Sequence, residues 1–198
     1  MVRVPPAIIG GRGGRLQAPG RRGNTGACTI ERHTFKEWGY PVAETATLKV
    51  GDEAPDFELP MSPTGEKFRL SDYRGKNAVI INFVPAAFSP VCSNQLPLIE
   101  QKRKEFEAQG AIPVVISSDG PWAQAAWKKE LGVDFPILSD FNPLGETARK
   151  YGVLIEGRGI ANRVVIVVDK NGKVAWIQPT EKITDIPDYD PVVACAKG

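Results

Sequence analysis

Apolar residues along this chain gather into short runs separated by polar, turn-rich segments. Residues 79–84, 111–118 (AIPVVISS), 164–168 and 174–177 have the length and β-branched content of buried strands. Asp169-Lys170-Asn171-Gly172 lies between the last two and makes them a hairpin. Near the start, Phe57-Glu58-Leu59 and Lys67-Phe68-Arg69-Leu70 flank Ser62-Pro63-Thr64-Gly65, which predicts a second, shorter hairpin. Residues 135–138 read as a short edge-like segment ending at Asp140.

Three stretches carry a helical pattern. Residues 93–109 place Leu96, Ile99 and Phe106 among Glu and Lys, with Pro97 inside. An interior proline removes a helix hydrogen bond, so the first turn is expected to be weakly tied to the rest; a helix starting at Pro97 is the other reading. Residues 121–131 follow Ser118 or Asp119 as a start and end at Gly132. Trp122 and Trp127 are five apart there, so at most one faces a core. Residues 143–151 form a third helix closed by Gly152. The order β-α-β-α-hairpin predicts an α/β fold: a mixed central sheet, helices on both faces and an N-terminal β-hairpin.

The ends do not share this pattern. Residues 1–46 form a Gly-, Arg- and Pro-rich extension without helical or strand period, expected to be partly disordered. Beyond Pro179 the signal fades, and residues 181–198 read as a tail with a loosely docked stretch at 192–195. The body of the domain is therefore expected at residues 47–180.

Composition narrows the function. With 198 residues and 42% apolar content, the chain is long enough for one domain with a sizeable core. Its net charge of +2 conceals five arginines and no acid within residues 1–30, so the rest is mildly acidic. Nothing suggests a nucleic-acid-binding face. No apolar run approaches the ~20 residues of a membrane span. The acid-free, arginine-rich start fits an organelle transit peptide, but residues 1–30 lack the serines usual in one. The expected location is cytoplasmic, with organelle targeting by residues 1–35 left open.

Cys28, Cys92 and Cys195 are too few and too far apart for a disulfide scaffold. No CxxC occurs, which argues against a thioredoxin-type dithiol and against zinc. The single histidine, His33, lies outside the expected domain, so a Cys–His pair is not expected.

Cys92 is placed differently from the other two. It follows the strand at 79–84 and the loop Pro85-Ala86-Ala87-Phe88-Ser89-Pro90. Ser89 is a good N-cap and Pro90 a good first helical residue. Cys92 then falls in a first turn, near unpaired backbone N–H groups and the positive end of the helix dipole, which favour a reactive thiolate. A buried, inert cysteine is the alternative. The loop-building serine and prolines favour the reactive reading.

Pro85-x-x-x-Ser89-x-x-Cys92 resembles the P-x-x-x-(T/S)-x-x-C signature of peroxiredoxins, the cysteine peroxidases. Residues 50–57 (VGDEAPDF) resemble the opening of that domain. Phe135–Asp140 and Tyr151-Gly152-Val153 resemble its central stretches, and Ala161-Asn162-Arg163 resembles the site of its second catalytic residue. The matches keep the family's order over roughly two thirds of the chain. The downstream windows are most similar to the one-cysteine alkyl hydroperoxide reductase E group. Residues 87–93 also resemble the atypical, peroxiredoxin five-like group.

The resemblance implies a thioredoxin-like fold and a homodimer. It also implies a thiol-dependent peroxidase acting through a cysteine sulfenic acid, without metal or bound organic cofactor. Cys92 is then the nucleophile. Arg163 favours the thiolate and donates to the peroxide. The Ser89 hydroxyl can accept and donate, and Pro85 shields the thiolate. Ser89 replaces the commoner threonine, losing the methyl that restricts its rotamer. Gln95 stands where many relatives have a glutamate that tethers another arginine, and no role is assigned to it. An external thiol, or a thioredoxin- or glutaredoxin-type reductant, would regenerate Cys92, with Cys195 as an alternative resolving residue. The competing readings are a thiol–disulfide oxidoreductase, or a non-catalytic binding or holdase protein, on the same fold.

Overall fold

The computed structural model describes residues 45–196. Residues 1–44, with Cys28 and His33, lie outside the described residues. In chain order the strands are β1 (Glu58–Pro60), β2 (Lys67–Arg69), β3 (Ala78–Phe83), β4 (Ala111–Ser117), β5 (Ile137–Ser139), β6 (Leu154–Ile155), β7 (Ile160–Ala161), β8 (Val164–Val168) and β9 (Val174–Pro179). The helices are α1 (Pro90–Ala108), α2 (Pro121–Leu131), α3 (Glu146–Lys150) and α4 (Asp190–Cys195).

Five strands make the central sheet, in the order β5-β4-β3-β8-β9. β3 runs parallel to β4 and antiparallel to β8, so the sheet is mixed. Every residue of β3 and β8 is buried. That explains their continuous apolar runs: a strand covered on both faces has no solvent side to alternate with. Alternate side chains serve two cores. Val79, Ile81 and Phe83 join the β1–β2 hairpin and α3 on one face. Ile80, Val115 and Val165 join Leu96, Ile99 and Phe106 of α1, Trp127 of α2 and Val192 of α4 on the other. Both hairpins expected from their turns form. Trp127 is buried and Trp122 is exposed, as a five-residue spacing requires. No helix among the described residues is long and apolar enough to cross a membrane.

Four details differ from the pattern read off the sequence. First, α1 begins at Pro90 and runs unbroken through Pro97. The start at Pro97 is not adopted, and the early turn stays helical because Cys92, Gln95, Leu96 and Ile99 form one buried stripe. Second, α2 starts from Gly120, not Ser118 or Asp119; the Asp119 carboxylate is engaged elsewhere, accepting the Ala87 N–H at 2.7 Å. Third, α3 covers only Glu146–Lys150. Gly145 sits in the left-handed region at φ +67°, which breaks the helix before Glu146. The Asp140 carboxylate then caps the new start through the N–H groups of Thr147 and Ala148, at 3.0 and 2.9 Å.

The fourth difference concerns the tail. It is firmly docked, not loose: Val192 is fully buried and Cys195 nearly so. Tyr189 packs edge-on against Phe106, and Asp190 pairs with Lys102 at 2.9 Å. Six residues are too few for a helix to hold by propensity. Burial does it, at roughly 1.5–3 kcal/mol for a side chain such as Val192. The prolines and aspartates of residues 179–191 mask this short apolar face in the sequence.

Candidate active site

The site is assembled where β3 hands over to α1. Pro85 ends the strand and is buried. The following loop is pinned by the Ala87 N–H to Asp119. Phe88 takes a left-handed φ of +61°, unusual for a residue with a side chain, and its ring lies 6.4 Å from that of Trp127. Strain of this kind costs roughly 1–3 kcal/mol and persists where surrounding contacts determine the loop. Trp127 also donates its indole N–H to Ser93 Oγ at 3.0 Å, tying α2 to the first turn of α1.

Ser89 is the N-cap residue of α1 and Pro90 opens the helix. Ser89 does not cap with its side chain, however; its carbonyl accepts the Ser93 N–H at 2.9 Å. Its partly buried hydroxyl is thereby left available beside the first turn. Cys92 is the third residue of α1, fully buried, with a free thiol.

Arg163 immediately precedes β8 and is only 1% exposed. Its backbone is held by Thr180, whose N–H and hydroxyl both donate to the Arg163 carbonyl at 3.2 Å. Its guanidinium is used on three sides. Nε donates to the Ile183 carbonyl at 3.0 Å. Nη1 donates to Gln95 Oε1. Nη2 donates to Cys92 Sγ at 3.3 Å. Two residues 71 positions apart in the chain thus meet at the sulfur. Among the described residues, no carboxylate pairs with Arg163.

Behind Gln95 lies a chain of neutral groups. Gln95 Nε2 donates to the Tyr189 hydroxyl at 2.7 Å, which donates to Asn82 Oδ1 at 2.9 Å. Asn82 Nδ2 donates to the carbonyls of Ile80 and Val114 at 3.2 and 3.1 Å. All three residues are buried. Burial pushes the Tyr189 phenol well above its ordinary value, only partly offset by the Gln95 hydrogen bond, so it stays protonated.

Of the residues singled out from the sequence, Cys92 and Arg163 are brought into direct contact. Pro85 and Ser89 belong to the loop that delivers Cys92. Cys195 lies in the same apolar cluster as Cys92 but is disulfide-bonded, whereas Cys92 is free, so they are not joined to each other. Sequence reasoning gave Gln95 no role, although it lies one turn from Cys92 on the same stripe. Tyr189, Asn82 and the Ile183 carbonyl had no local signal at all. Among the described residues, no cluster of three or more His, Cys, Asp or Glu could hold a metal.

Comparison with known proteins places the chain in a family. The profile of the AhpC/TSA family matches residues 50–177, which include Cys92 and Arg163. The chain belongs to the AhpC/TSA family of peroxiredoxins. It is 37% identical over 131 residues to alkyl hydroperoxide reductase E of Mycobacterium tuberculosis, covering 66% of this chain and 85% of that protein. A thiol peroxidase of Oceanobacillus iheyensis is 36% identical over 150 residues, covering 75% and 88%. Among solved structures, a peroxiredoxin-like protein from Aquifex aeolicus superposes with a TM-score of 0.66 at 30% identity, covering 74% of this chain and 85% of that one. Peroxidoxin BcpB from Mycobacterium tuberculosis superposes with a TM-score of 0.64 at 31% identity, covering 75% and 95%. The thioredoxin-like fold follows, and thiol-dependent peroxide reduction is the activity this membership supports.

Proposed function

We propose that this peroxiredoxin reduces hydrogen peroxide and organic hydroperoxides with Cys92 as the nucleophile. The observation that carries the assignment is the 3.3 Å contact between Arg163 Nη2 and Cys92 Sγ, both of them buried. The thiolate attacks one peroxide oxygen, forming an S–O bond as the O–O bond breaks. The other oxygen leaves as water or an alcohol after taking a proton. Charge grows on both oxygens in the transition state, so donors already fixed there lower the barrier. Arg163 supplies a permanent cation. The Ser89 hydroxyl can donate to the peroxide and accept from it. Pro85, having no N–H, shields the sulfur without competing for it.

Cys92 is left as a sulfenic acid. An external thiol attacks its sulfur and releases water, giving a mixed disulfide; a second thiol then frees Cys92 and leaves as the oxidised disulfide. A small thiol or a thioredoxin- or glutaredoxin-type protein fits this role. The external route is favoured over Cys195, because Cys195 is buried and already in a disulfide. A cytoplasmic location and a homodimer belong to the same reading and rest on the family alone.

Peroxide consumption with dithiothreitol as reductant tests the assignment. Wild type and Cys195→Ser should consume peroxide, and Cys92→Ser should not. Undiminished turnover by Cys92→Ser would move the chemistry to another residue, and a wild type that consumes no peroxide would leave a binding or holdase role as the better reading.

A further inference from the structure

The guanidinium of Arg163 is buried, and among the described residues its partners are a backbone carbonyl, a neutral amide and a thiol. A cation in that setting has given up its hydration without gaining a counter-charge, which is costly. Among the described residues, the only side chain in contact with it that can become an anion is Cys92. We propose that Asn82, Tyr189 and Gln95 form a neutral relay that aims Arg163 at Cys92 and reserves its charge for the thiolate. This makes Gln95 and Tyr189 positioning residues, and it deepens the peroxidase reading on which it rests.

The direction of every bond in the relay follows from its far end. Asn82 is the penultimate residue of the central strand β3, and its amide NH₂ is committed to the carbonyls of Ile80 and Val114. Its oxygen therefore faces outward as an acceptor. The Tyr189 proton must go to that oxygen, at 2.9 Å. The phenol oxygen is then an acceptor, and takes the Gln95 NH₂ at 2.7 Å. Gln95 is thereby fixed with its carbonyl oxygen toward Arg163 Nη1. An amide free to rotate could present its NH₂ to the guanidinium and repel it; this one is held the right way by the backbone of the sheet. The Tyr189 phenol keeps its proton, so the relay holds one polarity over the working pH range.

One of the guanidinium's tethers, and the group that orients another, come from beyond β9. The Ile183 carbonyl takes Nε, and Tyr189 orients the partner of Nη1. The C-terminal segment is thus part of the site's machinery, joined to it by hydrogen bonds as well as by packing. The ionisable groups in this chain of contacts are Cys92, Arg163 and Tyr189.

Gln95→Glu and Tyr189→Phe test the relay. The first offers Arg163 a competing anion at the same position. The second removes one hydroxyl and leaves Gln95 Nε2 and Asn82 Oδ1 without their partners. Two readouts are needed: the pH profile of Cys92 alkylation by iodoacetamide, and the second-order rate with hydrogen peroxide. For Gln95→Glu the alkylation profile should move about one unit to higher pH and the peroxide rate at neutral pH should fall roughly tenfold. For Tyr189→Phe the profile should shift the same way by less, with the rate reduced about threefold to tenfold. A purely structural role would lower the melting temperature and leave profile and rate in place, which overturns the proposal. Alkylation needs no peroxide, so unmoved profiles sink the relay even if the peroxidase reading stands. A wild type inert to peroxide would sink that reading while shifted profiles still upheld the relay.

Discussion

Arg163 is the residue on which the site depends most heavily. Its planar fork serves an acceptor on each of three nitrogens, and no other side chain could satisfy all three from one position. Arg163→Lys keeps the charge but places it at a single point on a flexible stem. The peroxide reaction should therefore slow by about 10²-fold or more, the cost typical of losing one aimed donor. Stopped-flow mixing of reduced protein with peroxide measures it, and a rate within twofold of wild type would show that charge alone suffices. At this scale the motifs in the sequence point to Cys92 and Arg163, which the structure brings into contact. Gln95 was within reach, since three residues along a helix return to the same face. Tyr189 and Asn82 were not, because their partners lie about a hundred positions away or across the sheet, and no local pattern encodes that pairing.

Elements position the site by where they stop. β3 ends at Phe83, the loop is pinned by Asp119, and α1 begins at Pro90, so Cys92 is delivered to the N-terminal turn. These boundaries were readable because prolines mark them. The short α3 was not, since its start is set by the distant Asp140 carboxylate together with a left-handed glycine. The other end of α3 gives a test. Gly152 has φ +67°, and a Cβ there would meet the Thr47 backbone nitrogen at 2.6 Å. Gly152→Ala combines a disfavoured left-handed conformation with a clash against backbone. It should lower stability by about 1–3 kcal/mol in urea unfolding. The peroxide rate of the folded variant should be unchanged, because the change lies away from the Cys92–Arg163 contact. An unaltered unfolding midpoint would mean that the loop relaxes freely.

The described residues form a sheet with two cores, and Cys92 sits in one of them, just after the loop before α1. The mixed sheet with helices on both faces follows from runs long and apolar enough to read directly, while the strand order comes from the structure. The docking of α4 does not, since a six-residue helix announces itself only through the surface it covers. That docking carries Tyr189 toward Gln95, so Arg163 depends on Gln95 within the family domain and on Tyr189 and Ile183 beyond it. The central claim, that a buried thiolate facing Arg163 attacks peroxide, is tested most directly at the sulfur. The reduced protein is treated with one equivalent of hydrogen peroxide in the presence of dimedone, then digested and examined by mass spectrometry. A dimedone adduct on Cys92 is the expected result. A Cys92–Cys195 disulfide in place of the adduct would contradict the external reductant, and an unmodified Cys92 thiol would contradict the peroxidase chemistry itself.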